Sequence, residues 1–242
     1  MRLKRDIDVF GDALLDYWDN GYSEDITTVS SLEEDDVIPL PYLFRSFKEM
    51  PKIEQTALEL AKGKVLDVGC GAGSHGLYLQ EKGLEVTALD VSAGALQVCG
   101  KRGLKSLINS SILDFSGTQF DTLLLLMNGI GLAGNLENLG SFLEHLKSLL
   151  NPSGQILIDS SDIIYMYEQD NDGGVWVPGE KKYYGEVTFR ITYKKQKSEP
   201  FNWLYLDFNT LNEHCERQNI NCELVISGAH YDYLARLVPK RE

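Results

Sequence analysis

The sequence predicts a doubly wound α/β fold: a seven-stranded, mostly parallel sheet with helices on both faces and a terminal antiparallel hairpin. Three observations carry the prediction. From residue 51 to 160, short apolar runs alternate with amphipathic stretches of helix length, the pattern of right-handed crossovers in a parallel sheet. The first apolar run ends in a cluster of glycines, Gly69, Gly71 and Gly73. After Ser160 the rhythm changes to alternation rich in aromatic and β-branched residues, the period of half-buried strands.

Taken in order, PKIEQTALELAKG reads as a helix, with Pro51 at its start and Gly63 past its end. KVLDV (64–68) is the first buried strand, SHGLYLQEKG a helix, and EVTALD (85–90) the second strand. Ser92 caps a helix that ends by Gly103. Residues 104–109 form a weak third strand and FDTLLLLM (120–127) a strong fourth. Leu136, Leu139, Leu143, Leu146 and Leu150 fall at helical steps. NPSG reads as a turn before strand five, QILIDS (155–160). Two antiparallel strands then meet near 198–200, followed by a helix around 209–219 and a closing hairpin from 222–227 and 231–238. The expected organisation is an N-terminal helical cap segment (1–50) and a main domain (51–242) whose insertion 160–208 lies over the active site.

Composition narrows the function. The chain of 242 residues has 43% hydrophobic and 24% charged residues, ordinary for one globular domain. Its formal net charge of -13 opposes sequence-independent nucleic-acid binding. The charge is uneven: 6–44 carries Asp and Glu without Lys or Arg, whereas Lys181, Lys182, Arg190, Lys194, Lys195 and Lys197 crowd one later stretch. The two stretches read as solvated faces, or as an acidic arm docked on the basic segment or framing a charged substrate. Asp6, Asp8 and Asp12 interrupt any signal-peptide core, so a cytoplasmic protein without membrane attachment is expected, as monomer or homodimer. Cys70, Cys99, Cys215 and Cys222 show no CxxC spacing, so free thiols and no metal site are expected.

The loop after strand one reads Asp67-Val-Gly69-Cys70-Gly71-Ala-Gly73. Its glycines let backbone amides approach a ligand and open a helix whose N-terminus favours anionic groups. Asp90, ending strand two, can accept hydrogen bonds from a ribose diol. Gly71, Gly73 and Gly76 also satisfy GxGxxG, which keeps an NAD(P)-dependent oxidoreductase as an alternative. Against it stand Asp67 just before the glycines and a terminus of helix, strand, strand in place of a second mononucleotide half.

VLDVGCGAG, EVTALDVS, FDTLLLLMNGIG and LLNPSGQILID, in that order, resemble the class I S-adenosylmethionine-dependent methyltransferases. The resemblance covers about 51–160 and, more loosely, 207–238. It implies a Rossmann-like fold, S-adenosyl-L-methionine as cofactor, and a set of site residues. Asp67 and the backbone of Gly69, Cys70, Gly71 and Gly73 hold the methionine moiety. Asp90 takes the ribose hydroxyls, Val91 lies beside the adenine, and Asn109 through Ser111 to Ile112 border it. Asn128 sits beside the sulfonium. Asn128-Gly-Ile-Gly lacks the motif of exocyclic-amine base methylases, so a small-molecule methyl acceptor is expected. A non-catalytic S-adenosylmethionine-binding regulatory protein remains a further alternative.

Methyl transfer needs alignment of the acceptor, exclusion of water and, for some acceptors, a base. His75 and His230 are candidate bases, each also readable as a structural histidine. Tyr42, Arg45, Asp162, Trp176, Tyr184 and Tyr231 are candidate acceptor-binding residues; Arg45 suits a carboxylate, or an ion pair with the acidic arm. Of 24 aromatics, eleven fall in 160–208 and seven in 1–62, which suggests an aromatic cap over the site or ordinary strand packing. If 6–44 forms part of the cap, removal of 1–44 is expected to abolish transfer to the acceptor and, because the glycine loop lies downstream, to spare much of the cofactor binding.

Overall fold

The computed structural model describes residues 8–32, 35–167, 174 and 183–240. Its elements are α1 (Val9–Asn20), β1 (Ile26–Ser30), β2 (Asp35–Ile38), α2 (Leu40–Leu43), α3 (Lys52–Leu60), β3 (Lys64–Val68), α4 (Ser74–Glu81), β4 (Glu85–Asp90), α5 (Ala93–Arg102), β5 (Ser106–Asn109), β6 (Phe120–Leu125), α6 (Leu136–Ser148), β7 (Leu150–Ser161), β8 (Glu186–Tyr193), β9 (Gln196–Lys197), β10 (Phe201–Leu204), α7 (Phe208–Arg217), β11 (Ile220–Ser227) and β12 (Asp232–Pro239).

The main sheet has the order β5-β4-β3-β6-β7-β12-β11. β3 to β7 are parallel, and β12 and β11 are antiparallel additions at one edge. Leu123, Leu124 and Leu125 are all fully buried because helices cover both faces. Leu139, Phe142, Leu143 and Leu146 of α6 pack with Leu211 and Cys215 of α7 in one cluster. Ile53, Ala57 and Leu58 of α3 pack with Leu79 of α4 in another. Ser92 Oγ accepts from Ala95 N at 2.9 Å, and Gly103 closes α5 at φ 105°, as the sequence predicts. The expected NPSG turn is instead part of β7: Leu150 already pairs with Phe120, and the register shifts before Thr122. A Cβ on Gly154 would lie 2.9 Å from Phe120 O, so this glycine permits a bulge.

A second, antiparallel sheet has the order β10-β8-β1-β2, with β9 paired to β8. The β8–β10 pair follows the sequence reading. The N-terminal segment is not only helical, however: β1 and β2 form a hairpin, and β1 pairs with β8 through Thr28↔Ile191. The first 50 residues and the insertion therefore build one sheet together. Asp16 pairs with Lys194 at 2.6 Å, so the acidic arm does meet the basic stretch. Asp19 pairs with Lys101 of α5, also at 2.6 Å. All four cysteines are free. Among the described residues no helix is long and apolar enough to cross a membrane.

Candidate functional site

The glycine loop lies at the carboxyl end of β3, the strand at which the order of a doubly wound sheet reverses and ligands bind. Gly69 and Gly71 have φ of 68° and 52°, left-handed conformations that suit glycine. A Cβ on Gly69 would find nothing nearer than Leu132 at 4.0 Å, and one on Gly71 nothing nearer than Phe10 at 3.8 Å. The space beside Gly69 is bounded by Leu132, and the Phe10 ring lies at van der Waals distance above Gly71. Asp90 is buried, which pushes its carboxyl up. Its Oδ2 accepts from Gly71 N at 3.0 Å and its Oδ1 from Ser92 N at 2.9 Å. Cys70 Sγ also lies 4.0 Å from Oδ2. Val91 beside it is 71% exposed. Asn109 donates to the carbonyls of Asp90 and Val91, and Ser111 Oγ accepts from Leu113 N beside buried Ile112.

Asp67 and Cys70 lie behind this face. Asp67 is 2% exposed, and burial pushes its carboxyl to about 6. It accepts from the Gly76 amide, and its Oδ2 has no hydrogen-bond partner. A Cβ on Gly76 would stand 3.1 Å from that oxygen, so the carboxylate points under the first turn of α4. Cys70 Sγ packs 3.7 Å from Cys99 Sγ.

The loop after β6 is wound left-handed at Met127 and Asn128, with φ of 65° and 60°. Asp159, at the end of β7, holds it: Oδ2 accepts from Met127 N at 3.0 Å and Oδ1 from Gly129 N at 2.8 Å. Burial raises this carboxyl to about 6. The Asn128 side chain is bonded within the protein. Nδ2 donates to Leu204 O at 3.1 Å, and Oδ1 accepts from Ser160 Oγ at 3.0 Å. Ser160 Oγ in turn accepts from Leu206 N. Sequence reasoning missed the part Asp159 plays; an acid at the carboxyl end of a parallel strand was the available signal.

His75 and Arg45 converge on a residue the sequence did not single out. Glu54 on α3 bonds His75 Nε2 at 2.7 Å and also takes a short ion pair from Arg45 Nη2. Arg45 is 6% exposed, donates Nη1 to Tyr42 O, and lies 3.9 Å below the Tyr42 ring. The expected pairing of Arg45 with a substrate carboxylate, or with the acidic arm, gives way to this internal pair. His75 is likewise committed to Glu54, because a buried charge needs its partner.

Asp162, Tyr184 and Tyr231 do come together. Tyr184 OH donates to Asp162 Oδ1 at 2.8 Å, and Asp162 N donates to Tyr231 O at 2.9 Å. Tyr231 stacks on Tyr165 at 4.9 Å. A cleft of about 530 Å³ runs beside them, bounded by Asp162, Asp207, Phe208, Tyr231 and Asp232. His230 is exposed in the adjoining β11–β12 turn. Trp176 lies outside the described residues.

A glycine loop at the carboxyl end of β3, with Asp90 closing the next strand, is the arrangement of a nucleoside-cofactor site in a doubly wound sheet. Comparison with known proteins agrees. A methyltransferase-domain family model matches residues 65–154. A solved S-adenosylmethionine-dependent methyltransferase from Bacteroides fragilis, in complex with S-adenosyl-L-homocysteine, is 42% identical; the match covers 97% of this chain and 95% of that one, with a TM-score of 0.90. The CcbJ methyltransferase from Streptomyces caelestis shares the fold at 12% identity, covering 96% and 98% of the two chains with a TM-score of 0.64. A Bacillus subtilis (strain 168) protein, YqeM, provisionally named a methyltransferase, is 29% identical over 107 residues, which span 40% of this chain and 42% of its own length. The chain belongs to the class I S-adenosylmethionine-dependent methyltransferases.

Proposed function

We propose that this methyltransferase acts on a compact small-molecule acceptor, enclosed between the carboxyl ends of β6 and β7 and the antiparallel cap sheet. The observation that carries the reading is the shared cap. Residues before β3 and after β7 build one sheet, and it is bonded to the core through Asn128 and Ser160. The net charge of -13 supports it, because a nucleic-acid substrate favours a positive field.

S-adenosylmethionine, when bound, supplies an activated methyl on a sulfonium. In this reading the backbone of Gly69, Cys70, Gly71 and Gly73 holds its amino-acid end, Asp90 accepts from the ribose, and Val91, Ser111 and Ile112 border the adenine. Asp67 supports the loop from behind. Tyr42, Asp162, Tyr184 and Tyr231 orient the acceptor, and exposed His230 is the candidate base. Arg45, His75 and Asn128 maintain the walls.

The test incubates the purified protein with methyl-labelled S-adenosylmethionine and, in separate arms, a low-mass metabolite extract, DNA, RNA and denatured protein. Label is expected in a small organic product. Label confined to a macromolecular arm would sink the proposal.

A further inference from the structure

The glycine loop is bonded on both sides: Gly69 N and Cys70 N donate to Leu89 O, Gly71 N to Asp90 Oδ2 and Gly73 N to Cys70 O, while its Gly71 and Ala72 carbonyls are held by one edge of α5. Cys99 Sγ donates to Gly71 O at 3.3 Å. Arg102, one helical turn on, donates Nη1 to Ala72 O at 2.5 Å and to Ser74 Oγ at 3.1 Å. Ser74 Oγ passes the connection on, donating to Leu43 O at 2.8 Å. The Arg102 guanidinium lies 5.0 Å from the centre of the Phe44 ring. Phe44 is packed in turn against Tyr17 at 4.7 Å and Trp18 at 6.2 Å. A cation with no carboxylate partner among these contacts is thus held by a carbonyl, a hydroxyl and an aromatic face.

We infer that Arg102 is a positioning residue for the cofactor: it fixes the carbonyl side of the glycine loop, and through Phe44 it makes cofactor affinity depend on the docking of the N-terminal segment. The inference rests on the glycine loop being the cofactor site. Arg102 acts through Ala72 O and Ser74 Oγ. A guanidinium can serve Ala72 O and Ser74 Oγ together from its fork of donors, and the ring above it shields those bonds from water. Without Phe44 the guanidinium is free to turn to solvent; without Arg102 the ring covers nothing polar.

The test is a double-mutant cycle read by titration calorimetry with S-adenosyl-L-homocysteine on the full-length protein. Arg102→Ala is expected to weaken binding about tenfold, the size of one hydrogen bond to a charged group. Arg102→Lys is expected to recover most of that loss, because an ammonium can still reach one of the two oxygens; general damage to α5 would not be rescued so. Phe44→Ala alone should weaken binding about threefold, and in the Arg102→Ala background should add nothing. Binding by Arg102→Ala within twofold of wild type, or full multiplication of the two effects, overturns the inference. If Arg102→Ala does not fold, the lysine variant with and without Phe44→Ala gives the same comparison, Phe44→Ala then being expected to cost less in the lysine background than in wild type. A wild-type protein that fails to bind S-adenosyl-L-homocysteine would instead overturn the cofactor site itself.

Discussion

Asp67 and Asp90 end neighbouring strands, and both were legible in the sequence from their places beside the glycine loop. Their orientations were not, because one residue of strand twist or a nearby amide decides where a carboxylate points. Asp90 accepts from Gly71 N and Ser92 N, whereas Asp67 is buried under α4 with an unpartnered oxygen. Asp90→Ala is expected to weaken S-adenosyl-L-homocysteine binding by one to two orders of magnitude, from hydrogen bonds worth about 1.5–3 kcal/mol; unchanged affinity in calorimetry would refute the ribose role. Asp67 makes a different prediction. Its carboxyl moves from the ordinary 3.8 to about 6, so the folded state holds the proton more tightly than the unfolded chain. Its contribution to stability therefore falls as pH rises from about 4 to 6, and stays low above that. Asp67→Asn removes the titration. Relative to wild type, its unfolding free energy should improve by about 2 kcal/mol between pH 4 and pH 8. Urea denaturation at the two pH values measures this, and a constant difference would show that Asp67 is not a buried charge.

At the level of elements, β3 to β7 and their helices were legible because local signals define them: buried runs, glycine stops, and caps such as Ser92. β1 and β2 were not. ITTVS and DDVI are short and flanked by acids, and β1 is fixed by pairing with β8, far along the chain. The loop after β6 was recognised as part of the site, but its geometry depends on Asp159 and on the cap. Asn128 is both left-handed and a latch between β6, β7 and β10. Asn128→Ala should cost about 2–4 kcal/mol, since two hydrogen bonds go and their buried partners are left unpaired. Asn128→Gly loses the same bonds without the left-handed penalty, so it should be more stable than the alanine variant by about 1 kcal/mol. Denaturant midpoints of the two variants decide it; equal midpoints would show that the conformation at Asn128 carries no strain.

At the scale of the molecule, the N-terminal segment packs against the residues proposed to hold the cofactor. Asp8 Oδ2 accepts from Ser92 Oγ at 2.8 Å and Gly94 N at 2.9 Å, beside the Asp90 carboxylate, and Phe10 stands over Gly71. Removal of 1–44 would take away these contacts along with β1 and β2, so it is expected to weaken cofactor binding, contrary to what chain order suggests. α1 crosses α5 at a glycine pair. A Cβ on Gly94 would come within 2.6 Å of Gly11 Cα and 2.8 Å of Gly11 O. Those are backbone atoms, so α1 itself must move to admit a methyl group. Gly94→Ala is therefore a minimal way to lift the segment off the core. Overpacking of this kind costs about 1–3 kcal/mol, which lowers the melting temperature by roughly 2–4 °C per kcal/mol in a chain of this size. If α1 belongs to the site, the melting-temperature gain from added S-adenosyl-L-homocysteine should shrink as well, because that gain follows ligand affinity. A variant that melts earlier but keeps the full ligand-induced gain would show that α1 packs against the methyltransferase core without shaping its cofactor site.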